Sequence, residues 1–262
     1  MYIVIPIFSD GFIHQLHEKN KLSLLYVKEV GGDSKMLFIN HMDALEKDSY
    51  DFLIDSTIIT TDAKRLLTIH PFKKVYDINI LNWWIDNKPL DVNVKNNAID
   101  FMNNKYYKMK NVNSIIPSVK HLEWCDELSK DIENTWSKKD SIDFENYEIY
   151  NNEVVVAFTS IEKSGVKVTD NVCDIFDIRV KKHISDGKLY SNYNLTTSTG
   201  RPSNSFGSVN FAALTNAHRM AFVPQNHLLV EYDYDAYHLR LIGDFIGYKF
   251  PQASVHEYLA SF

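Results

Sequence analysis

The chain has 262 residues, enough for one large domain or two small ones, and its 45% hydrophobic content can fill a core. A formal net charge of −6 excludes a protein that grips nucleic acid through bulk positive charge. No apolar stretch is long enough to cross a bilayer, and the opening MYIVIPIFSDG lacks a basic leader and a cleavage site; with only two cysteines, Cys125 and Cys173, a reducing, cytoplasmic setting without membrane contact is expected.

The first hundred residues read as an α/β unit. Tyr2–Phe8, 22–30 and 36–40 are predicted strands, with a hairpin turn at Gly31-Gly32-Asp33. Leu53-Ile54 and 57–60 suggest a further short strand. Asp62 stands where a helix N-cap belongs, before Ala63-Lys64-Arg65-Leu66-Leu67. Residues 75–80 read as a strand running into an amphipathic helix around Trp83 and Trp84, closed by Asn87-Lys88-Pro89. His14 and His17 form an HxxH pair; with no third ligand nearby, a solvated helix face is expected rather than a metal site.

From Asp91 to Tyr150 the chain is polar and Asn-rich around helical runs. HLEWCDELSKDIENTW, His121 to Trp136, places Leu122, Cys125, Leu128, Ile132 and Trp136 on one stripe, a helix against the core. Dense charge and fading periodicity from Lys138 to Tyr150 place a domain boundary there, giving units 1–140 and 141–262. In EVVVAFTSIEKSGVKVTDNVCDIF, from Glu153, Gly165 sits where a helix C-cap belongs.

Three pieces then follow. Hydroxylated residues close on Thr199-Gly200-Arg201, where a glycine lets the backbone approach a phosphate chain beside a rigid, planar cation. An Asn/Ser/Phe-rich loop runs to Ala213. The apolar run Leu228-Leu229-Val230 leads to Asp233, and a strand that ends on a carboxylate can present a metal ligand at a sheet edge. Residues 151–262 hold 10 Lys+Arg against 11 Asp+Glu, and the first 150 hold 18 against 23, so any grip on a polyanion rests on a few placed cations.

In this order, TGRPSNSFGSVNFAAL, Arg219-Met220-Ala221-Phe222 and DYDAYHLR (Asp233 to Arg240) resemble the family A DNA polymerases. There a TGR segment, a PNLQNIP-like loop, an Arg-x-Ala-Phe element and the DYSQIELR strand, motif A, follow one another. Ser254 to Ala260 is similar to the family's following Asp-Ile-His helix, and Ile161-Glu162 with Gly165 to Asp170 is similar to its LxxMExxGVxVD turn. The resemblance implies an α/β (α+β) chain: a degenerate 3′–5′ exonuclease-like (ribonuclease H-like) domain, then a partial polymerase palm. It also implies a function as the N-terminal part of a template-directed DNA polymerase. Compactness and Asn/Lys/Ile/Tyr usage suggest the phage type, hence the cytoplasm of a bacterial host.

The family's site residues carry over as follows. Asp233 is the catalytic aspartate and, with Tyr234, belongs to the metal set of a two-Mg²⁺ site that this chain supplies only in part. Thr199, Arg201, Asn204, Asn210, Arg219 and His256 match positions near primer-template DNA. Arg201 pairing an acid, the two asparagines capping turns, and His256 packing or capping are the plain alternatives. Tyr237 and His238 match the sugar pocket for deoxynucleoside triphosphates, where His238 replaces the family's Glu. Asp235 takes the place of a small residue, either adding charge to the metal site or, on its plainer reading, solvated or paired to a lysine; Tyr232 and Tyr234 read most simply as core.

After Arg240 no motif B helix and no HDE hairpin (motif C) follow, and only about thirty residues separate Asp170 from Thr199, so a thumb is missing or reduced. The resemblance therefore implies a second polypeptide, or a further C-terminal part, carrying fingers and motif C. The predicted first strand contains no acid, so the exonuclease-like domain is expected to be inactive, with Asp62 and Asp77 as a helix cap and a strand-end residue. A non-catalytic DNA-binding or assembly module derived from a polymerase is the alternative.

Overall fold

The computed structural model describes residues 1–8, 14–17, 22–38, 50–87, 119–204, 209–230, 234–252 and 254–261. They form two compact units, 1–223 and 224–262. The larger is a mixed α/β structure around a five-stranded sheet of order β3-β2-β1-β4-β5. Strands β1 (Tyr2–Phe8), β2 (Leu22–Glu29) and β3 (Ser34–Phe38) make an antiparallel meander whose β2–β3 turn falls at the expected glycines. Strands β4 (Thr57–Thr60) and β5 (Lys74–Asp77) add on parallel to β1.

The near-continuous apolar run of β1 explains its central place, since a strand covered on both faces needs no polar alternation. Ile3, Val4, Ile5, Ile7 and Phe8 are all buried. Strand β4 pairs only with Tyr2 and Ile3, so Pro6, which has no N–H to give, falls beyond that ladder.

Two expected strands change character. Leu53-Ile54 belongs to a single helical turn, α1 (Asp51–Ile54), and β5 ends at Asp77 rather than running to residue 80. The cause at Asp77 is its own carboxylate: it accepts the N–H of Asn79 (2.9 Å) and of Ile80 (3.4 Å) and so opens α3 (Ile78–Asp86). It also accepts the Ala63 N–H (2.8 Å) at the start of α2 (Ala63–Ile69), which Asp62 caps through the Arg65 N–H (3.0 Å). One buried acid thus ties two helix N-termini together.

Helix α4 (Val119–Trp136) buries Cys125, Leu128 and Ile132, three members of the predicted stripe; the Leu122 side chain lies outside the described residues. Helix α5 (Phe144–Ser164) buries Tyr147, Asn151, Val155, Thr159 and Glu162 along one stripe. Asn151 accepts from the Asp77 N–H (3.0 Å) and donates to the Val75 carbonyl (2.7 Å), so a side chain satisfies the backbone of edge strand β5. Gly165, at φ +58°, ends the helix. A Cβ there would lie 2.8 Å from Cε1 of Tyr190.

Beyond α5 a smaller ribbon, β6 (Val166–Lys167), β7 (Ile184–Ser185) and β8 (Lys188–Leu189), runs in the order β6-β8-β7. It shares a second apolar cluster of Val168, Val172, Val180, Leu189 and Ala221 with the short helix α6 (Val172–Ile175), and the short helix α7 (Asn216–Arg219) ends just before Ala221. Strands β9 (Tyr193–Asn194) and β10 (Ser203–Asn204) flank the TGR turn as an antiparallel pair.

The second unit holds α8 (Tyr237–Phe245) and α9 (Val255–Ala260). The strand expected from Leu228 to Asp235 is not formed at the residues described: 228–230 and 234 carry no secondary structure, and Asp235 begins a turn. A strand needs a neighbour to satisfy its N–H and C=O groups, and none is paired here among the described residues. Among those residues, no helix is long and apolar enough to cross a membrane.

Candidate nucleic-acid interface

The approach to the TGR turn is set by a buried ion pair. Glu162, 2% exposed, is bonded to the Lys64 ammonium and accepts the Tyr193 N–H (2.7 Å), while Lys64 also donates to the Tyr193 carbonyl. Both backbone groups of one β9 residue are thus held by a cation and an anion from different helices. Burial pushes the Glu162 carboxyl above its ordinary range, with Lys64 pulling the other way. Sequence reasoning passed over Lys64 and took Glu162 only as part of a turn motif. The signal was there, because a charge on the apolar-facing stripe Tyr147-Asn151-Val155-Thr159 must have a buried partner.

The turn itself is closed by the Gly200 N–H on the Thr197 carbonyl (3.0 Å) and the Thr197 hydroxyl on the Arg201 carbonyl (2.7 Å). Gly200 sits at φ +70°, the conformation that favours glycine, 3.9 Å from the Trp83 ring measured from where its Cβ would stand. Thr199 and Arg201 are exposed, and no carboxylate among the described residues pairs with Arg201. Its guanidinium stands on a firm base.

Asn204 donates to the Ser191 hydroxyl (2.5 Å), which in turn donates to the Val209 carbonyl (3.0 Å). A single serine therefore joins Asn204 to Val209. Asn210 accepts the Ala212 N–H (3.1 Å) and caps the turn Phe211–Ala213. Arg219, exposed, ends α7, whose N-terminus carries a capping box between Thr215 and His218. His218 stacks on Phe176 (4.7 Å between ring centres).

His14 and His17 do not lie on a solvated helix face. Both are buried in a turn, and His14 stacks on Tyr190 at 5.0 Å. Burial, with His183 nearby, pushes the His14 imidazole down to about 3, so it is neutral at ordinary pH.

In the second unit, Asp233 and Tyr232 lie outside the described residues. Tyr234 is 79% exposed, which overturns its reading as core. Its ring stands 5.5 Å from Tyr237, which meets His238 at 5.6 Å, so the three side chains form an exposed aromatic row at the head of α8. Asp235 accepts from Arg240 (2.7 Å) and from the Val255 N–H (3.3 Å), while Arg240 also reaches the Asp235 and Pro251 carbonyls (2.9 and 3.2 Å). The Arg240 guanidinium holds the Asp235 carboxyl below its ordinary range. That acid is committed to a clip, and its cation is Arg240 rather than the lysine or the solvent of its plainer reading. His256 is exposed in the first turn of α9, after the Ser254 cap.

Among the described residues no group of three or more His, Cys, Asp or Glu is placed to hold a metal ion. With Asp235 engaged, the described side chains do not by themselves fit a two-Mg²⁺ site.

No family model matches the sequence. No curated protein matches it by sequence either. The fold, in contrast, is similar to a solved structure, the POL domain of Pol1 from M. smegmatis in complex with DNA primer-template and dNTP, at a TM-score of 0.53 and 12% identity. The match covers 86% of this chain and 55% of that one, so the chain spans about half the length of that polymerase domain. The fold is polymerase-like.

Proposed function

We propose that this chain is the N-terminal part of a template-directed DNA polymerase of family A. In this reading residues 1–140 are an exonuclease-like domain that has lost its acids, and residues 141–262 a partial palm. The ordered set of TGR turn, Arg-x-Ala-Phe and DYDAYHLR, on a polymerase-like fold, carries the reading. Arg201 and Arg219 are assigned to backbone phosphates or minor-groove acceptors, contacts alike for all base pairs that suit sequence-independent synthesis. Thr199, Asn204, Asn210 and His256 are assigned to the same primer-template surface, Tyr237 and His238 to the sugar of the incoming deoxynucleotide.

Asp233, with Tyr234, is assigned to the metal set. Two Mg²⁺ ions would supply activation of the primer 3′-hydroxyl and neutralisation of the triphosphate, and they need a second bridging carboxylate from elsewhere. Completed by a part carrying fingers and motif C, the polymerase is expected to extend a primer, and Asp233→Ala is expected to abolish extension while leaving the complex intact. The chain alone is expected to give no incorporation with Mg²⁺ and all four deoxynucleotides. Incorporation by the chain alone, or activity surviving Asp233→Ala, sinks the proposal.

The second reading is a non-catalytic DNA-binding or assembly module. Asp235 locked to Arg240 removes from the metal site the one extra acid that could have added charge to it. Primer-template binding without extension in every completed complex is the result that selects it.

A further inference from the structure

Helix α8 is inside out. Its inward face is marked by Gly243, buried so tightly that an added Cβ would lie 2.7 Å from the Tyr248 carbonyl oxygen. Its outward face carries the bulk: Tyr237 50%, Leu241 49%, Ile242 57%, Phe245 93% and, just past the helix, Ile246 68% exposed. Tyr237, Leu241 and Phe245 repeat at four-residue spacing and the two isoleucines flank them, so the five share one side. Side chains of this size leave on the order of several hundred Å² of contiguous apolar surface, the range in which an exposed patch marks an interaction site.

Resting on the polymerase reading above, we propose that this face of α8 is the seat for the remainder of the polymerase domain, the part of that fold which the match leaves uncovered. The occupant follows from coverage: the chain accounts for 55% of the similar POL domain, and the other 45% has no counterpart in the match. An apolar helix face left outward on a chain spanning half of such a fold fits a buried seam of the whole. A lipid surface fits poorly. An interfacial helix needs basic residues on its polar side; in α8 the one arginine, Arg240, is bonded to Asp235, and Asp244 adds negative charge.

The test uses the full chain and, as probe, the polypeptide encoded immediately downstream of it, in a pull-down and by light scattering after size exclusion. Wild type should capture the probe one to one, and Ile242→Glu with Phe245→Glu should weaken capture roughly tenfold or more while circular dichroism and melting temperature stay unchanged. Val156→Glu, at a residue of α5 that is itself 52% exposed, controls for general stickiness and should capture as wild type does. Equal capture by the double variant overturns the proposal, as does a chain that ignores the probe. So does a homodimer lost in the double variant, which makes a second copy the occupant. A lower melting temperature of the variant alone, with capture unchanged, assigns the face to this chain's own packing and also overturns it. Primer extension by the complex, with and without Asp233→Ala, separates the two ideas. A complex formed through α8 but inert leaves the seat standing without the polymerase, and an active complex indifferent to the double variant does the reverse.

Discussion

Two apolar tripeptides of this chain have nearly the same composition and opposite fates. Ile3-Val4-Ile5, in β1, is 0 to 5% exposed, with strands on both sides and helices beyond. Leu228-Leu229-Val230 is 58 to 65% exposed and carries no secondary structure. Apolar side chains favour burial at roughly 25 cal/mol per Å², but a run becomes a strand only where another segment pairs its backbone and covers its faces. The first unit contains those partners. For the second, the described residues do not provide them.

The sharpest way to press this comparison is through charge. Glu162–Lys64 is a buried pair and Asp235–Arg240 an exposed one. Glu162→Ala leaves Lys64 uncompensated and releases β9, so a loss of about 3–5 kcal/mol is expected in urea denaturation. Asp235→Ala should shift the chain's melting temperature only slightly. Comparable losses would show that the clip at Asp235 is as shielded in solution as the pair at Glu162.

Apolar truncation gives the next contrast. Leu81→Ala removes a fully buried side chain and should cost about 2–5 kcal/mol. Leu229→Ala should change the stability of the isolated chain by less than about 0.5 kcal/mol. A large cost at Leu229 would mean that the segment is covered within the chain after all.

A smaller effect concerns pH. Burial, with Asp62 beside it, pushes the Asp77 carboxyl up to about 7, against the pull of three backbone N–H donors. Its unfolded value is near 4, so between about pH 4 and 7 the folded state holds the extra proton. The contribution of Asp77 to stability is therefore full at the acid end of that window and lost as pH rises through it. Asp77→Asn should flatten this part of the melting-temperature profile, at the expense of the Ala63 N–H bond. An unchanged slope would mean that Asp77 is ionised throughout.

Local chemistry was legible in the sequence. The Asp62 cap, the Gly165 helix end, the Cys125-Leu128-Ile132 stripe and the acid-free β1 each depend on residues a few positions apart, and each is found. What needed a distant partner was not. Leu53-Ile54 reads as strand by composition and is a helical turn. His14 and His17 looked solvated because nothing near them in the sequence announces Tyr190 and His183. In the candidate site, the turn at Gly200 and the exposed Arg201 were readable, whereas the lock of Tyr193 by Lys64 and Glu162 spans 129 and 31 positions.

Ser191 has a consequence for how this surface is coupled. Its hydroxyl accepts from Asn204 and donates to the Val209 carbonyl, so the end of β10 and the start of the turn capped by Asn210 are held by one small side chain. Ser191→Ala removes both bonds at once and leaves the Asn204 amide and the Val209 carbonyl to find other partners. The two pieces would then shift independently, so this one hydroxyl is where a change at β10 is passed on to the capped turn.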